Sequence, residues 1–437
     1  MAELLVIGGG PAGVAAALTG ARLGAGVTLV ERAEPGGTCV HRGDVPTATL
    51  RRAADLLDEL DQGGQMGVRA GSLIVDWGRM RSAAAAATTM AARLTRAALE
   101  RAGVEVVVAC ARFVGPGRVE VAGLVFERVP VVLATGASPV IPQRRGTPRP
   151  GRRAATGEEA MALDELPSRV LIAGAAHLGL GWASLLNRLG SKVAVATAGD
   201  RILPEEDGEV ARTLQRALER RGIRFLFGRG ALEQAEAELE PELLLFADAR
   251  LPNRSGLDLE VAGVATGPAG EVMIDARCAT SAPEVFAAGD LTGPPWLSSR
   301  ARAQGMVAAT CALGGTARFR PERIPRSVST RPELAAVGLT EEQAIARGRP
   351  VAVGRGGPAI DPDTPTSGED PARLKLVVDA EYGEILGAHM VGRGASELIG
   401  LVTTAMELEA DYRDLARLHH LPPGPGGLLA EAIASIR

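Results

Sequence analysis

Glu3 to Ile7 form a short apolar run, and a glycine cluster, Gly8-Gly9-Gly10-Pro11-Ala12-Gly13, follows it directly. An alanine-rich stretch with helical character continues to about Leu23, and Val27 to Val30 then reads as a second strand ending at Glu31. The order is strand, tight turn, helix, strand, acid. Each part has a physical task. Gly8 permits the tight turn, and Gly10 lets the backbone approach a pyrophosphate. Gly13 allows close packing of helix on strand, and the helix N-terminus faces the phosphate charge. Glu31 lies about 20 residues beyond the turn, where it can accept hydrogen bonds from ribose hydroxyls. A glycine triplet alone is a weak signal, but this setting predicts dinucleotide binding. The plain alternative is a glycine turn in an ordinary α/β unit.

A second unit of the same kind begins near Ser168. Arg169 to Ala173 is apolar, Gly174-Ala175-Ala176-His177-Leu178-Gly179 opens a helix, and Lys192 to Ala196 supplies the next strand. This fingerprint is degraded. Ala176 takes the second glycine position, where its methyl crowds a phosphate, and neutral Thr197 takes the position of the ribose acid. No arginine stands beside Thr197 to meet a 2′-phosphate. Use of NAD(P)H at this turn and retention of the domain for architecture alone are both open. From about Arg318 onward the chain shows strand-like stretches (Lys375 to Val378, Ile385 to Val391) and two helical ones without a nucleotide turn, which predicts a third domain.

The totals narrow the function classes. A chain of 437 residues has length for roughly two to four domains. The net charge of -4, with the charges interspersed, gives no electrostatic support for nucleic-acid binding. No apolar run approaches the roughly 20 residues needed to cross a bilayer, and the first strand starts too early for a secretory signal. Cys39, Cys110, Cys278 and Cys311 are too scattered for a disulfide framework or a zinc pattern. The expectation is a cytoplasmic protein with no membrane and no nucleic-acid partner. Lysine is nearly absent, occurring only at Lys192 and Lys375.

Taken together, these residues resemble the pyridine nucleotide-disulfide oxidoreductases, the family of dihydrolipoamide dehydrogenase and glutathione reductase. The likeness runs in order through nearly the whole chain. Gly36-Gly37-Thr38-Cys39 is similar to the start of the redox-active helix, and Ala134-Thr135-Gly136 to the strand end where the FAD domain is left. Thr280 to Asp290 resembles the second FAD motif, whose aspartate holds the ribityl chain. Leu297 to Gly305 resembles the helix whose N-terminus faces the pyrimidine end of the flavin, where its dipole favours negative charge. Thr330 to Thr340 and Gly383 to Gly392 resemble the interface domain.

The resemblance implies FAD, a homodimer and an α/β fold. That fold has two Rossmann-like dinucleotide-binding domains, one for FAD and one NAD(P)-like, plus a C-terminal α+β interface domain. The expected boundaries are 1–149 and 271–317 for the FAD domain, 150–270 for the NAD(P)-like domain and 318–437 for the interface domain. The expected FAD contacts are Gly8, Gly10, Pro11, Ala12 and Gly13 in the turn, Glu31 and Arg32 after the second strand, and Gly37, Thr38 and Cys39. Ala111, Ala134, Thr135, Gly136, Gly289, Asp290, Leu297 and Ser298 complete the set.

The chain also departs from the family. The family's two redox cysteines are spaced CxxxxC, whereas Cys39 is followed at that distance by Asp44, which cannot complete a disulfide. The family's second cysteine lies against the flavin ring, so the resemblance places Asp44 there. The lysine that next reaches the flavin is replaced in Pro46-Thr47-Ala48, and its glutamate partner falls on Gly181. Losing both members of an ion pair is chemically consistent, because losing one strands a charge. The C-terminal catalytic histidine falls on Pro422 and its glutamate on Gly427, and neither residue can transfer a proton. A two-residue shift bringing His419 or His420 into place is the alternative. The family's soluble transhydrogenases are a partial parallel, since they lack the second cysteine but keep the lysine.

Three catalytic candidates follow. Cys39 is a flavin-side thiolate if a helix N-terminus, His41 or Arg42 lowers its pKa, and otherwise a buried remnant. Asp44 is a proton acceptor at the ring or a hydrogen-bonded helix residue. His177 is an aromatic lid over the flavin or a surface-facing helix residue. His41 and Arg42 read as solvated, and Ser298 and Ser299 as helix caps or flavin contacts. The reading reached is an FAD-dependent oxidoreductase that passes electrons through flavin alone to or from a small-molecule substrate. Two alternatives stand beside it: an NAD(P)H-dependent reductase of quinones or other acceptors, transhydrogenase-like, and an FAD-bound pseudoenzyme acting as a complex partner.

Overall fold

The computed structural model describes residues 3–68, 71, 73–142, 153–357, 372–419 and 425–436. The chain forms two compact units. The first comprises Met1–Leu50, Gly78–Val140 and Arg250–Arg320, and the second Arg51–Trp77, Ile141–Ala249 and Pro321–Arg437.

The first unit is built on a parallel sheet in the order Val285–Ala287, Val131–Leu133, Leu4–Ile7, Val27–Glu31, Glu105–Val108. Leu4, Leu5, Val6 and Ile7 are all buried, as expected for a parallel strand covered on both faces. Alternate residues serve opposite faces. Leu4, Val6 and Leu29 pack with alanines of the helices Pro11–Arg22 and Ser298–Ala312. Leu5, Ile7 and Val30 pack on the other side against Ala111, Phe113, Val119 and Val121, from the antiparallel strands Ala111–Gly115 and Arg118–Val121. The two helices approach closely because their facing residues are small: a Cβ at Gly305 would lie 2.1 Å from the carbonyl oxygen of Ala12.

The second unit carries two sheets. One is parallel, in the order Arg224–Phe227, Lys192–Thr197, Arg169–Ala173, Leu243–Phe246, Arg153–Thr156. The other is antiparallel, in the order Arg326–Val328, Leu334–Gly338, Ile385–Val391, Arg373–Asp379, Val351–Gly356, with the helices Ala395–Glu407 and Pro425–Ala434 sharing its core. The expected α/β class, with two Rossmann-like halves and a C-terminal α+β portion, is the observed architecture.

The boundaries differ from those expected. The first unit resumes at Arg250 rather than at residue 271. The strand Arg250–Pro252 pairs antiparallel with Ala137–Pro139, and Asn253 trades hydrogen bonds with Thr135 at 2.7 and 2.9 Å. Residues 51–77, expected with the FAD domain, group with the second unit, where Arg188 binds both Asp55 and Asp58.

A buried ionic cluster ties the parallel sheet of the second unit to the antiparallel one. Glu206, 1% exposed, accepts from Arg326 Nε and Nη2 at 2.8 and 2.9 Å and is 3.0 Å from His177 Nε2. Lys375 lies 2.7 Å from Asp207 and 2.8 Å from Glu341. His389 is fully enclosed. Burial lowers its pKa, so the ring is neutral and donates through Nε2 to the carbonyl of Leu339 at 2.9 Å. Burial alone would raise the Glu206 carboxyl, but the hydrogen bonds from His177 and Arg326 outweigh it and hold the group far below the usual glutamate range. Replacing Glu206 by Gln strands the Arg326 charge and is expected to cost about 3–5 kcal/mol in chemical denaturation. The folded pKa is depressed, so this stabilisation is present above the ordinary glutamate pKa of about 4.3 and fades as pH falls below it. The gap between wild type and E206Q is therefore full at neutral pH and narrows in acid.

Candidate functional site

The first strand ends where the sheet order reverses, the position at which doubly wound folds bind ligands. Gly8 adopts φ +107°, and a Cβ there would lie 2.3 Å from the Ala134 carbonyl oxygen. A Cβ on Gly13 would meet the Gly8 oxygen at 1.7 Å, so no other residue fits this packing. Gly10 differs. The nearest atom to a Cβ there is Gly37 Cα, at 3.8 Å. Its open side is the approach to the amides of Ala12 and Gly13 at the head of the helix Pro11–Arg22. Glu31 faces the same turn, with Oε2 accepting from the Gly9 amide at 2.6 Å and Oε1 from the Ala33 amide at 3.1 Å. Arg32 is exposed beside it.

Two other segments of the first unit close on this turn. The Gly36 amide donates to the Gly9 carbonyl at 2.7 Å, and Gly37 packs against Gly10. Gly289 lies against Ala12, where a Cβ would come within 2.9 Å of the alanine methyl. Its amide donates to Gln304 Oε1 at 2.9 Å. The next residue is Asp290. Burial raises its carboxyl, Arg250 and Arg300 oppose that shift, and Asp44 adds to it. Arg300 is fixed by Gly293 and Thr292 at 2.6 and 3.0 Å. Leu297 is the N-cap and Ser298 the first residue of the helix Ser298–Ala312. Ala111 and Ala134 are buried, and Gly136 takes φ +72°.

Cys39 sits in the short helix Gly37–His41, and Asp44 opens the helix Asp44–Gly63. Asp44 lies near enough to Cys39 for its charge to act on the thiol. Burial first, then the charge and hydrogen bond of Asp44, push the thiol well above its usual range, and Arg302 offsets only part of this. In this surrounding Cys39 is a neutral thiol, not the low-pKa thiolate that one reading of the sequence required. His41 does not activate it: its Nε2 lies 3.1 Å from the carbonyls of Glu34 and Pro35, as a strut of the preceding loop. Cys278, buried and pushed up to about 12 by its burial, is a core residue, and Cys110 is exposed.

The second glycine turn lies in the second unit. His177 starts the helix His177–Arg188, and its ring is engaged with Glu206, so it is not a surface-facing residue. Asp248 accepts from the amides of Ala176 and Gly179, each at 3.0 Å. Sequence reasoning passed over Asp248, Glu206, Arg250 and Arg300. For Asp248 a signal existed, since it lies two residues beyond the strand Leu243–Phe246, at the ligand-facing end of a parallel sheet. In the C-terminal run, His420 and Pro422 lie outside the described residues. His419 is exposed, and Gly427 is in the first turn of the helix Pro425–Ala434.

Known proteins agree with this architecture. The sequence profile of the pyridine nucleotide-disulphide oxidoreductases matches residues 2–310, and that of the same family's dimerisation domain matches residues 324–432. The chain belongs to the pyridine nucleotide-disulphide oxidoreductase family. It is 34% identical to dihydrolipoyl dehydrogenase 2 of Haloarcula marismortui, with 100% of this chain and 96% of the relative covered. It is 35% identical to dihydrolipoyl dehydrogenase of Thermus scotoductus, covering 99% and 97%. Among solved structures, LpdA from Mycobacterium tuberculosis superposes with TM-score 0.87 at 26% identity, and the HOCl-induced flavoprotein disulfide reductase RclA from Escherichia coli with TM-score 0.83 at 26% identity. Each covers 99% of both chains. The dimerisation domain supports a homodimer. No helix among the described residues is long and apolar enough to cross a membrane.

This oxidoreductase family uses FAD, and the first unit fits that cofactor. The open side of Gly10 leaves room for a pyrophosphate, Glu31 has carboxylate lone pairs suited to a ribose, and Asp290 is a half-buried carboxyl just before a second helix. Replacement of Gly10 by Val is expected to leave the fold intact and reduce bound FAD at least tenfold, measured as flavin per protein together with circular dichroism. Gly13→Val, which collides with backbone, is expected to lose the fold itself. Asp44→Asn removes two of the causes that raise the Cys39 thiol. Alkylation of Cys39 by iodoacetamide at pH 8, followed by peptide mapping, should accelerate several-fold in D44N.

Proposed function

We propose that the chain is an FAD-dependent oxidoreductase that passes electrons through the flavin alone, with a small-molecule substrate, and is not a disulfide reductase. One observation carries the reading. The position of the family's second redox cysteine is held by Asp44. A carboxylate cannot close an S–S bond, and burial together with the Asp44 charge keeps the remaining thiol protonated, so Cys39 is a poor nucleophile toward an external disulfide. The family's lysine position is Ala48 and its glutamate partner Gly181. The positions of its acid–base histidine and glutamate are Pro422 and Gly427. The curated relatives are named dihydrolipoyl dehydrogenases, and a dihydrolipoyl substrate needs the thiol pair that this chain lacks.

When bound, FAD supplies reversible two-electron chemistry. The chain's own residues supply binding, orientation and a proton. The head of the helix Pro11–Arg22 takes phosphate charge, and Glu31 accepts from ribose hydroxyls. Asp290, raised by burial, accepts from the ribityl chain. Cys39, kept as a thiol, and nearby Asp44 place a proton donor and a carboxylate in one region, which suits proton transfer with a small organic substrate better than thiol exchange.

Anaerobic dithionite titration of the holoprotein tests this reading. A flavin alone takes up two electrons, whereas a flavin with a redox disulfide takes up four. Uptake of two electrons per FAD is expected. Uptake of four, or turnover of dihydrolipoamide with NAD, would overturn it.

A further inference from the structure

The second glycine turn presents the backbone groups with which a Rossmann unit receives a pyrophosphate: the amides at the head of the helix His177–Arg188. These amides are taken. Ala173 pairs with Phe246 across the sheet, so Asp248, two residues further on, comes level with the turn. Its Oδ2 accepts from the Ala176 amide and its Oδ1 from the Gly179 amide, both at 3.0 Å. The carboxylate is so close that a Cβ on Gly174 would lie 2.5 Å from Oδ2, and one on Gly179 would lie 2.8 Å from it. The glycines of this turn therefore make room for an aspartate of the chain itself.

The flanking residues agree. Ala176 carries a methyl where the backbone must approach phosphate closely. Thr197 stands at the ribose position, and its hydroxyl accepts from the Gly199 amide at 3.3 Å. His177, next in the turn, is held by buried Glu206. The family's usual second cofactor does not fit these residues.

We propose that Asp248 is a built-in substitute for the nucleotide pyrophosphate: its carboxylate fills the anion site of the second glycine turn and excludes NAD(P)H from it. A dinucleotide seated there would lose the helix-head amides to the carboxylate and bring its two phosphate charges against it. Burial raises the Asp248 carboxyl, the amides of Ala176, Gly179 and Leu178 and nearby His177 pull it down, and both oxygens are engaged. The proposal concerns the second unit alone and stands apart from the flavin-only reading. It adds that the electron donor is of another chemical class than a nicotinamide nucleotide.

The test is calorimetric binding to the FAD-loaded protein, which needs no turnover. NADH, NADPH and inorganic pyrophosphate are titrated separately into wild type and into Asp248→Ala. Wild type is expected to show no saturable binding of any of them up to about 1 mM. Asp248→Ala, with the amides released, is expected to bind pyrophosphate at least tenfold more tightly. Saturable binding of NADH or NADPH to wild type below about 0.1 mM would overturn the proposal. So would an Asp248→Ala protein of normal flavin content that binds pyrophosphate no better than wild type. Should that variant not fold, the wild-type titrations decide alone. The electron count of the dithionite titration is unaffected by either result, so the two readings fail separately.

Discussion

The first amides of a helix have no partner within the helix, and an anion or a polar group must satisfy them. This constraint organises both units. In each, a buried parallel strand runs into a glycine turn that aims a helix head at the C-terminal edge of the sheet. In the first unit, among the described residues, no side chain takes the amides of Ala12 and Gly13, and Gly10 leaves their approach open. In the second, Asp248 takes the amide of Gly179, the counterpart of Gly13, and that of Ala176, the counterpart of Gly10. The same backbone device is thus completed by a cofactor in one half and by the chain in the other.

The flavin side shows a related replacement. Asp44 follows Cys39 at the CxxxxC distance, and burial together with its charge raises the thiol. A sulfur pair stores two electrons, whereas a thiol beside a carboxylate stores a proton. The charges around the pair are balanced locally: Asp290 faces Arg250 and Arg300, while Arg302 acts on Cys39. Asp290 and Cys39 thus each have arginine charge nearby, as a buried region requires.

Much of this was legible in the sequence. The apolar strands, the two turns and the acid at Glu31 follow from local periodicity and from steric needs that only glycine meets, and those signals act within a few residues. The absence of a second redox cysteine was equally plain. The sequence did not reveal which distant side chain enters a turn. Asp248 lies 72 residues from Ala176 and Arg326 lies 120 from Glu206, and such pairings depend on sheet register rather than local pattern. His177 illustrates the limit. Its place at a helix start was clear, but its attachment to Glu206 depends on where the chain returns. The resumption of the first unit at Arg250 was hidden for the same reason, since the pairing of Arg250–Pro252 with Ala137–Pro139 is a long-range contact of short strands.

A bound nucleotide stabilises the fold that binds it, so a domain that gives up its nucleotide loses that contribution unless internal contacts replace it. The second unit supplies them at the same place. Asp248 satisfies the helix head, and Glu206 holds the first side chain of that helix while its other bonds reach Arg326 in the antiparallel sheet. The next residue, Asp207, caps the following helix through the amides of Glu209 and Val210 and binds Lys375, one of only two lysines in the chain. These groups are nearly enclosed, so each depends on its partner: removing one strands a charge, and the set is kept or lost together. The turn persists because its helix head is anchored from both sides by the chain's own carboxylates, and the architecture of the domain no longer depends on the ligand for which that architecture is suited.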